Sequence, residues 1–169
     1  KLIISGKKNL KGSIKVHGAK NAALPILVSS LLNEQKLTLT NIPKVDDINN
    51  MLKLLKYYGS KIINKKNSII IDNRNLQNIS ADYDIVRKMR ASVLILGPLL
   101  SRFGYSKISL PGGCAIGTRP IDIHLKGLVK LGAKFNIENG FVIGKVKNKL
   151  KGNKIKLAFP SVGATENIL

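Results

Sequence analysis

Tryptophan is absent from this chain of 169 residues, cysteine occurs once, histidine twice, and acidic residues number only nine. A single cysteine cannot close an internal disulfide, so no part of the fold is stapled covalently. His17 and His124 have no metal-ligand spacing to Cys114 or to any carboxylate, and no Ser-His-Asp arrangement is visible. Neither a metal site nor a cofactor nor a hydrolytic triad is expected. The glycines of Pro111 to Gly117 follow neither the Walker nor the dinucleotide-binding spacing. With four Phe and four Tyr, the core must be aliphatic. Long apolar runs are missing too: Ala22 to Leu32 and Ala91 to Leu100 each contain a proline and fall short of the roughly 20 residues of a membrane span. The first ten residues carry no apolar signal core and no small-residue cleavage site. These shortages lead to the expectation of a soluble, cytoplasmic protein with no membrane partner.

What the chain has in excess is positive charge: 29 basic residues against nine acidic give a formal net charge of +20. The 24 lysines accompany 16 asparagines and 22 isoleucines, so a general drift in composition explains much of the charge. Only five basic residues are arginine, whereas phosphate and base readers lean on the planar Arg fork. A specific nucleic-acid partner is therefore the weaker reading. The densest run, Lys145, Lys147, Lys149, Lys151, Lys154 and Lys156, alternates as the wet face of a strand or hairpin would.

Periodicity marks an α/β chain. Asn21 to Leu32 carries a helical stripe, and Lys36 to Thr40 alternates as a strand before Asn41-Ile42-Pro43. Val45 to Tyr58 is helical with Gly59 as its C-terminal cap, and short strands follow around Ile62 and Ile69 to Ile71. Asp84 to Phe103 is helical, its last turns kinked or interrupted by Gly97-Pro98. A strand over Lys107 to Leu110 enters a glycine-rich loop. Pro120 to Leu131 reads as a helix opened by proline at its first position and closed by Gly132, ahead of strands near Phe135 and Phe141.

Leu54 to Ile62 and Gly127 to Phe135 share one pattern, a helix end, a small residue, Lys, then an apolar strand start, 73 residues apart. The chain thus repeats a unit of strand, helix, strand, strand, helix, which must pack against its copies to cover its sheet. A third copy is expected to begin at Ile155 to Leu157. The chain opens without Met and stops in a helix-like segment at Leu169, so both ends are expected to be cut.

Four segments carry candidate chemistry. In Ser109-Leu110-Pro111-Gly112-Gly113-Cys114-Ala115-Ile116-Gly117-Thr118-Arg119-Pro120-Ile121-Asp122 the lone cysteine lies five residues before Arg119 and near a helix start, both of which lower a thiol pKa. Lone cysteines are more often buried and inert, but a glycine-rich loop is exposed, which favours reactivity. His17-Gly18-Ala19-Lys20-Asn21-Ala22-Ala23 sets a lysine and an amide at a helix start suited to an anion, or merely a solvated lysine there. Arg87 and Arg90, three apart on an otherwise apolar helix, await a phosphate or an ion pair with Asp82 or Asp84. Pro160 to Thr165 offers small residues, hydroxyls and backbone N–H groups.

Gly18 to Ile26, Lys88-Met89-Arg90-Ala91-Ser92, Leu110 to Cys114 through Arg119-Pro120, and Ser161 to Thr165 together resemble the UDP-N-acetylglucosamine 1-carboxyvinyltransferases, the enolpyruvyl transferases of peptidoglycan synthesis. The resemblance covers essentially the whole chain, in order, and less than half of the family's length. It implies an inside-out α/β barrel protein of two domains, each of three repeats, with the cleft between them holding phosphoenolpyruvate and the sugar nucleotide. Residues 1–19 would be strands of the other domain, and 20–169 two repeats and the start of a third. Lys20 and Asn21 would meet phosphoenolpyruvate, and Cys114 would donate a proton to the vinyl carbon and form an adduct with that substrate. Arg90, Arg119, Pro120, Ile121, Asp122 and Ile123, with Ser161, Val162 and Gly163, would hold the sugar nucleotide. Phe159 stands where the family leads one to expect a basic residue, and Leu94 where some members have a larger ring. The homologous 5-enolpyruvylshikimate-3-phosphate synthases share fold and donor, but their loop lacks this cysteine motif. A non-catalytic anion-binding fragment is the alternative from another class. The resemblance also implies roles in cell wall biogenesis, cell shape and division. Oligomeric state is not legible.

Overall fold

The computed structural model describes residues 2–6, 9, 11–76, 90–110 and 121–169, with 90 and 91 described through their backbone only. Helix α1 (Lys20–Ser29) ends in a 3-10 turn (Ser30–Leu32) and is followed by β1 (Lys36–Thr40), α2 (Asp46–Tyr57), β2 (Lys61–Asn64) and β3 (Ser68–Asp72). A 3-10 stretch (Arg90–Ile95) then leads into α3 (Leu96–Phe103) and β4 (Tyr105–Ser109). The remaining elements are α4 (Asp122–Lys130), β5 (Ala133–Glu138), β6 (Phe141–Val146) and α5 (Val162–Ile168). From β1 to α3 and again from β4 to α5 the described order is strand, helix, strand, strand, helix, the repeat unit expected from the sequence.

The strands form two three-stranded sheets, ordered β1-β3-β2 and β4-β6-β5. Every pairing is antiparallel, and Lys61 opposite Asp72 in the first sheet has its counterpart in Ala133 opposite Val146 in the second. The last strand of each unit thus lies between the first two, which run parallel to each other and need the helix between them as a crossover.

Helix α2 shows why the unit folds this way. Asp46 and Asp47 occupy its first turn, where the helix dipole favours negative charge. Ile48, Met51, Leu52 and Leu55 recur on one buried face. At its end Gly59 adopts φ 101°, its N–H bonding the Lys56 carbonyl at 2.9 Å while the Ser60 N–H bonds Leu55 at 3.0 Å. That paired closure requires a residue tolerant of positive φ, hence glycine. Gly132, at φ 105°, ends α4 with the first of these two bonds, its N–H bonding the Val129 carbonyl at 2.9 Å.

Two apolar clusters form the core. The first joins α1, α2 and Ile71 to Leu94, Ile95 and Leu99, and the second joins Val93, Leu96 and Leu100 to Ile108, Leu128, Ala133 and Val142. The segment from Val93 to Leu100 therefore feeds both units, each fully buried leucine contributing about 2 kcal/mol. Arg102 adds a polar tie: it donates to the Leu31 carbonyl at 2.9 Å and the Asn73 carbonyl at 3.0 Å, and Asn73 donates to the Ser30 carbonyl at 2.7 Å. A groove of about 510 Å³, walled by Pro25, Ile26, Leu32, Leu94, Leu128 and Ile168 among others, runs beside α1, α3, α4 and α5.

Several expectations need correction. Gly97-Pro98 marks an interruption, but at the junction of the 3-10 stretch with α3 rather than in the last turns of one long helix: the Gly97 N–H bonds the Asn167 side chain. The pair falls in the first turn of α3, where proline's missing N–H is one the helix could not have used. Helix α4 starts at Asp122 with Ile121 as N-cap, so Pro120 precedes it rather than opening it. Strand β4 begins at Tyr105, earlier than expected. Ile155 to Leu157 is not a strand. In both formed sheets the first strand pairs only with the last strand of its own unit, and among the described residues Ile155 to Leu157 has no such partner. One expectation needs none: Leu2 to Ser5 and Ser13 to Val16, which by resemblance would be strands of the other domain and so find no proper sheet here, are unpaired, and Leu2, Ile3, Ile4, Ile14 and Val16 are exposed. The lysine run is strand only as far as β6, through Lys145.

Candidate functional site

Lys20 is the first residue of α1, and its Nζ contacts Asp47 Oδ2 at 2.7 Å near the start of α2. Both side chains are close to half exposed, at 47% and 41%, so the pair is accessible to an anion in solution. The chain reaches Lys20 through Gly18, where a Cβ would collide with the Asn41 carbonyl oxygen. Glycine there lets the backbone pass against the turn after β1. Asn21 is exposed in the same first turn. Pro25 lies inside α1 and has no N–H for the Asn21 carbonyl four residues back, which leaves that acceptor without its helical partner.

A second locus gathers around α4 and α5. Asp122 opens α4, with Oδ2 bonded to Lys126 at 2.9 Å and Oδ1 buried without a partner among the described residues. The Lys126 hydrogen bond holds this carboxyl below its ordinary range. Ile121 is half-buried and Ile123 buried. Ser161 caps α5, its Oγ accepting from the Ala164 N–H at 3.3 Å and its carbonyl from the Thr165 hydroxyl at 2.9 Å. A hydroxyl used only as an acceptor keeps its own proton for a ligand. Val162 is exposed, and Gly163 lies against the His124 ring, whose Cε1 would be 3.3 Å from an added Cβ. His124 thus brings Ile121, Asp122 and Ile123 together with Ser161, Val162 and Gly163.

The structure leaves the two loci unjoined. Among the described residues no hydrogen bond or ion pair links Lys20 or Asn21 to the α4–α5 locus. Cys114, Arg119 and Pro120, and likewise Asp82, Asp84 and Arg87, lie outside the described residues. Arg90 is placed by its backbone alone, at the start of the 3-10 stretch. Among the described residues no cluster of three His, Cys, Asp or Glu side chains forms, and no helix is long and apolar enough to cross a membrane. The apolar groove shares α4 and α5 with the second locus through Leu128, Asn167 and Ile168, but no described candidate residue lines it.

A family model described as EPSP synthase (3-phosphoshikimate 1-carboxyvinyltransferase) matches residues 4–169. The chain belongs to this family. Within it, the chain is 48% identical over all its 169 residues to a UDP-N-acetylglucosamine 1-carboxyvinyltransferase of Desulforapulum autotrophicum, covering 40% of that protein. To UDP-N-acetylglucosamine 1-carboxyvinyltransferase 2 of Clostridium tetani it is 52% identical, covering 41%. The chain therefore spans about two fifths of the length of these relatives. Among solved structures, the EPSP synthase of Acinetobacter baumannii superposes with TM-score 0.74 at 22% identity, covering 97% of this chain and 39% of that one. The enolpyruvyl transferase NikO of Streptomyces tendae gives 0.70 at 16%, covering 86% and 32%. At such identities the structures establish the shared fold, the enolpyruvyl-transferase α/β architecture of which this chain forms a part.

Sequence reasoning missed Asp47, His124 and Asn167 as neighbours of the candidate residues. His124 was considered only for metal spacing and a hydrolytic triad. Nothing in a linear pattern joins His124 to a residue 43 positions away.

Proposed function

We propose that the protein to which this chain belongs transfers the enolpyruvyl group of phosphoenolpyruvate to the 3-hydroxyl of UDP-N-acetylglucosamine, the chain supplying one wall of the cleft. The observation that carries this reading is identity of about half over the entire chain to relatives bearing that name, together with a cysteine inside Pro111 to Pro120. The 5-enolpyruvylshikimate-3-phosphate synthase reading has less support: the solved structures of that name are far more distant in sequence.

In the proposed reaction the sugar hydroxyl adds to C2 of phosphoenolpyruvate while C3 accepts a proton, giving a tetrahedral intermediate. Loss of phosphate with return of a proton from C3 regenerates the double bond. Cys114 supplies the proton to C3, and its thiolate also adds to the donor. Lys20 binds the donor's phosphate or carboxylate by exchanging its Asp47 partner for the ligand, with the start of α1 favouring the same charge. Arg90, Arg119 and the α4–α5 locus hold the uridine diphosphate, the Arg forks gripping two oxygens each. Residues 1–19 belong to the second domain and 20–169 to the first. The protein acts in the cytoplasm, in cell wall synthesis and through it in cell shape and division.

The test is alkylation of Cys114 by a small anionic phosphonate epoxide, in the chain joined to the remaining three fifths of the Clostridium tetani relative. A loop thiol beside Arg119 should be partly ionised and attract the anion. Mass spectrometry should show one adduct at Cys114 and none in Cys114→Asp, which retains a proton to donate. No adduct, under conditions that label an ordinary exposed thiol, removes the activated cysteine.

A further inference from the structure

The buried amide of Asn167, on α5, meets three elements at once. Its Oδ1 accepts from the Gly97 N–H at 2.8 Å, and its Nδ2 lies 3.0 Å from the Val93 carbonyl and 3.2 Å from His124 Nδ1. A backbone N–H can only donate and a carbonyl can only accept, so these two groups fix which way the amide faces. The second hydrogen of Nδ2 is then directed at His124 Nδ1, which must accept it. A neutral imidazole that accepts at Nδ1 carries its proton on Nε2. His124 is only 9% exposed, and burial pushes its pKa down, favouring the neutral ring. Its Cε1–Nε2 edge lies beside Gly163, with Nε2 3.6 Å from the position a Cβ would take there. Among the described residues Nε2 has no hydrogen-bond partner.

We propose that Asn167 is a positioning residue: by locking His124 as the Nε2–H tautomer, it presents a donor at the uncovered ring edge beside Gly163 to an anionic oxygen of the sugar nucleotide's diphosphate. The inference rests on the function proposed above for its ligand, whereas the tautomer is a property of the unliganded chain. It explains two further features. Glycine at 163 leaves the ring edge uncovered, since a side chain there would press on Cε1 and Nε2. Asn167 also satisfies a first-turn N–H of α3, so the amide that sets the tautomer fixes the height of α5 against that helix.

The test uses the 169-residue chain with 15N-labelled histidine and uridine diphosphate as the probe. Long-range nitrogen–proton correlations at neutral pH should show His124 as a single Nε2–H tautomer, and in Asn167→Ala a mixture. Uridine diphosphate should shift the His124 Nε2 signal, and His124→Phe, which keeps the ring volume without the donor, should weaken its binding about tenfold. A urea transition no lower than that of the parent would separate this from a folding defect. If Asn167→Ala does not fold, the parent spectrum and His124→Phe decide. An Nδ1–H tautomer in the parent chain overturns the inference. So does unchanged affinity in His124→Phe, or a probe that perturbs Ser161 to Gly163 and leaves His124 unmoved, and in both of these cases the proposed function stands. The expected tautomer with no binding of the probe contradicts the proposed function, and the ligand assigned to His124 falls with it.

Discussion

At the residue scale, Lys20 carries a partner it must surrender. An ion pair between two half-exposed side chains contributes about 0–1 kcal/mol, so Asp47→Asn should change urea stability by less than about 1 kcal/mol. Removing a carboxylate from beside an anion site should tighten phosphoenolpyruvate binding by about fivefold, since 1.4 kcal/mol is a factor of ten. Calorimetric titration checks both, and weaker binding in Asp47→Asn would mean that Asp47 orients Lys20 rather than competing with its ligand. His124 gives a pH dependence. Desolvation lowers its pKa in the folded state, opposed by the nearby Asp122 charge, so between that lowered value and the ordinary value of about 6.5 the unfolded chain binds more protons. Its contribution to stability is therefore complete above about pH 6.5 and is lost as pH falls toward the folded pKa. Urea midpoints measured downward from neutrality should decline less steeply in His124→Phe than in the parent, and equal slopes would refute the assignment.

At the scale of elements, α3 is the joint of the molecule, and Gly97 is its narrowest point. A Cβ on Gly97 would strike the Asn167 backbone carbonyl and lie 2.6 Å from its Oδ1, where backbone cannot yield cheaply. Gly97→Ala should cost about 2–3 kcal/mol, visible as a lower urea midpoint with an unchanged slope, and a loss below about 0.5 kcal/mol would show that α5 can move away. The sequence signals for Gly59 and Gly132 were readable because a helix cap is a local device, settled within one turn. Lys36–Thr40 was readable because alternation survives in a half-buried strand. The role of Gly97 was not, since its meaning depends on a contact 70 residues away. The start of α4 was misplaced for a related reason: proline is at home both in the first turn and just before the cap, and local chemistry does not separate the two.

For the molecule as a whole, the repeat was legible in one pair of segments 73 residues apart, and it carried the order of elements and the equivalence of the two sheets. At the N-terminal end the missing sheet partner was legible through the resemblance, whereas Ile155 to Leu157 was legible only as a strand, because alternation records which face a side chain prefers and says nothing of whether a neighbour is present. The N-terminal segments leave Leu2, Ile3, Ile4, Ile14 and Val16 in solvent. Catalysis by positioning and by exclusion of water needs both walls of a cleft. The chain alone should therefore bind uridine diphosphate without turning over.

The most direct measurement is phosphate release with phosphoenolpyruvate and UDP-N-acetylglucosamine, comparing the 169-residue chain with the same chain joined to the remaining three fifths of the Clostridium tetani relative. The account predicts release from the joined protein only when both substrates are present, its loss in Lys20→Ala, and none from the chain alone. Turnover by the chain alone, or a folded joined protein that binds both substrates and releases no phosphate, would contradict it.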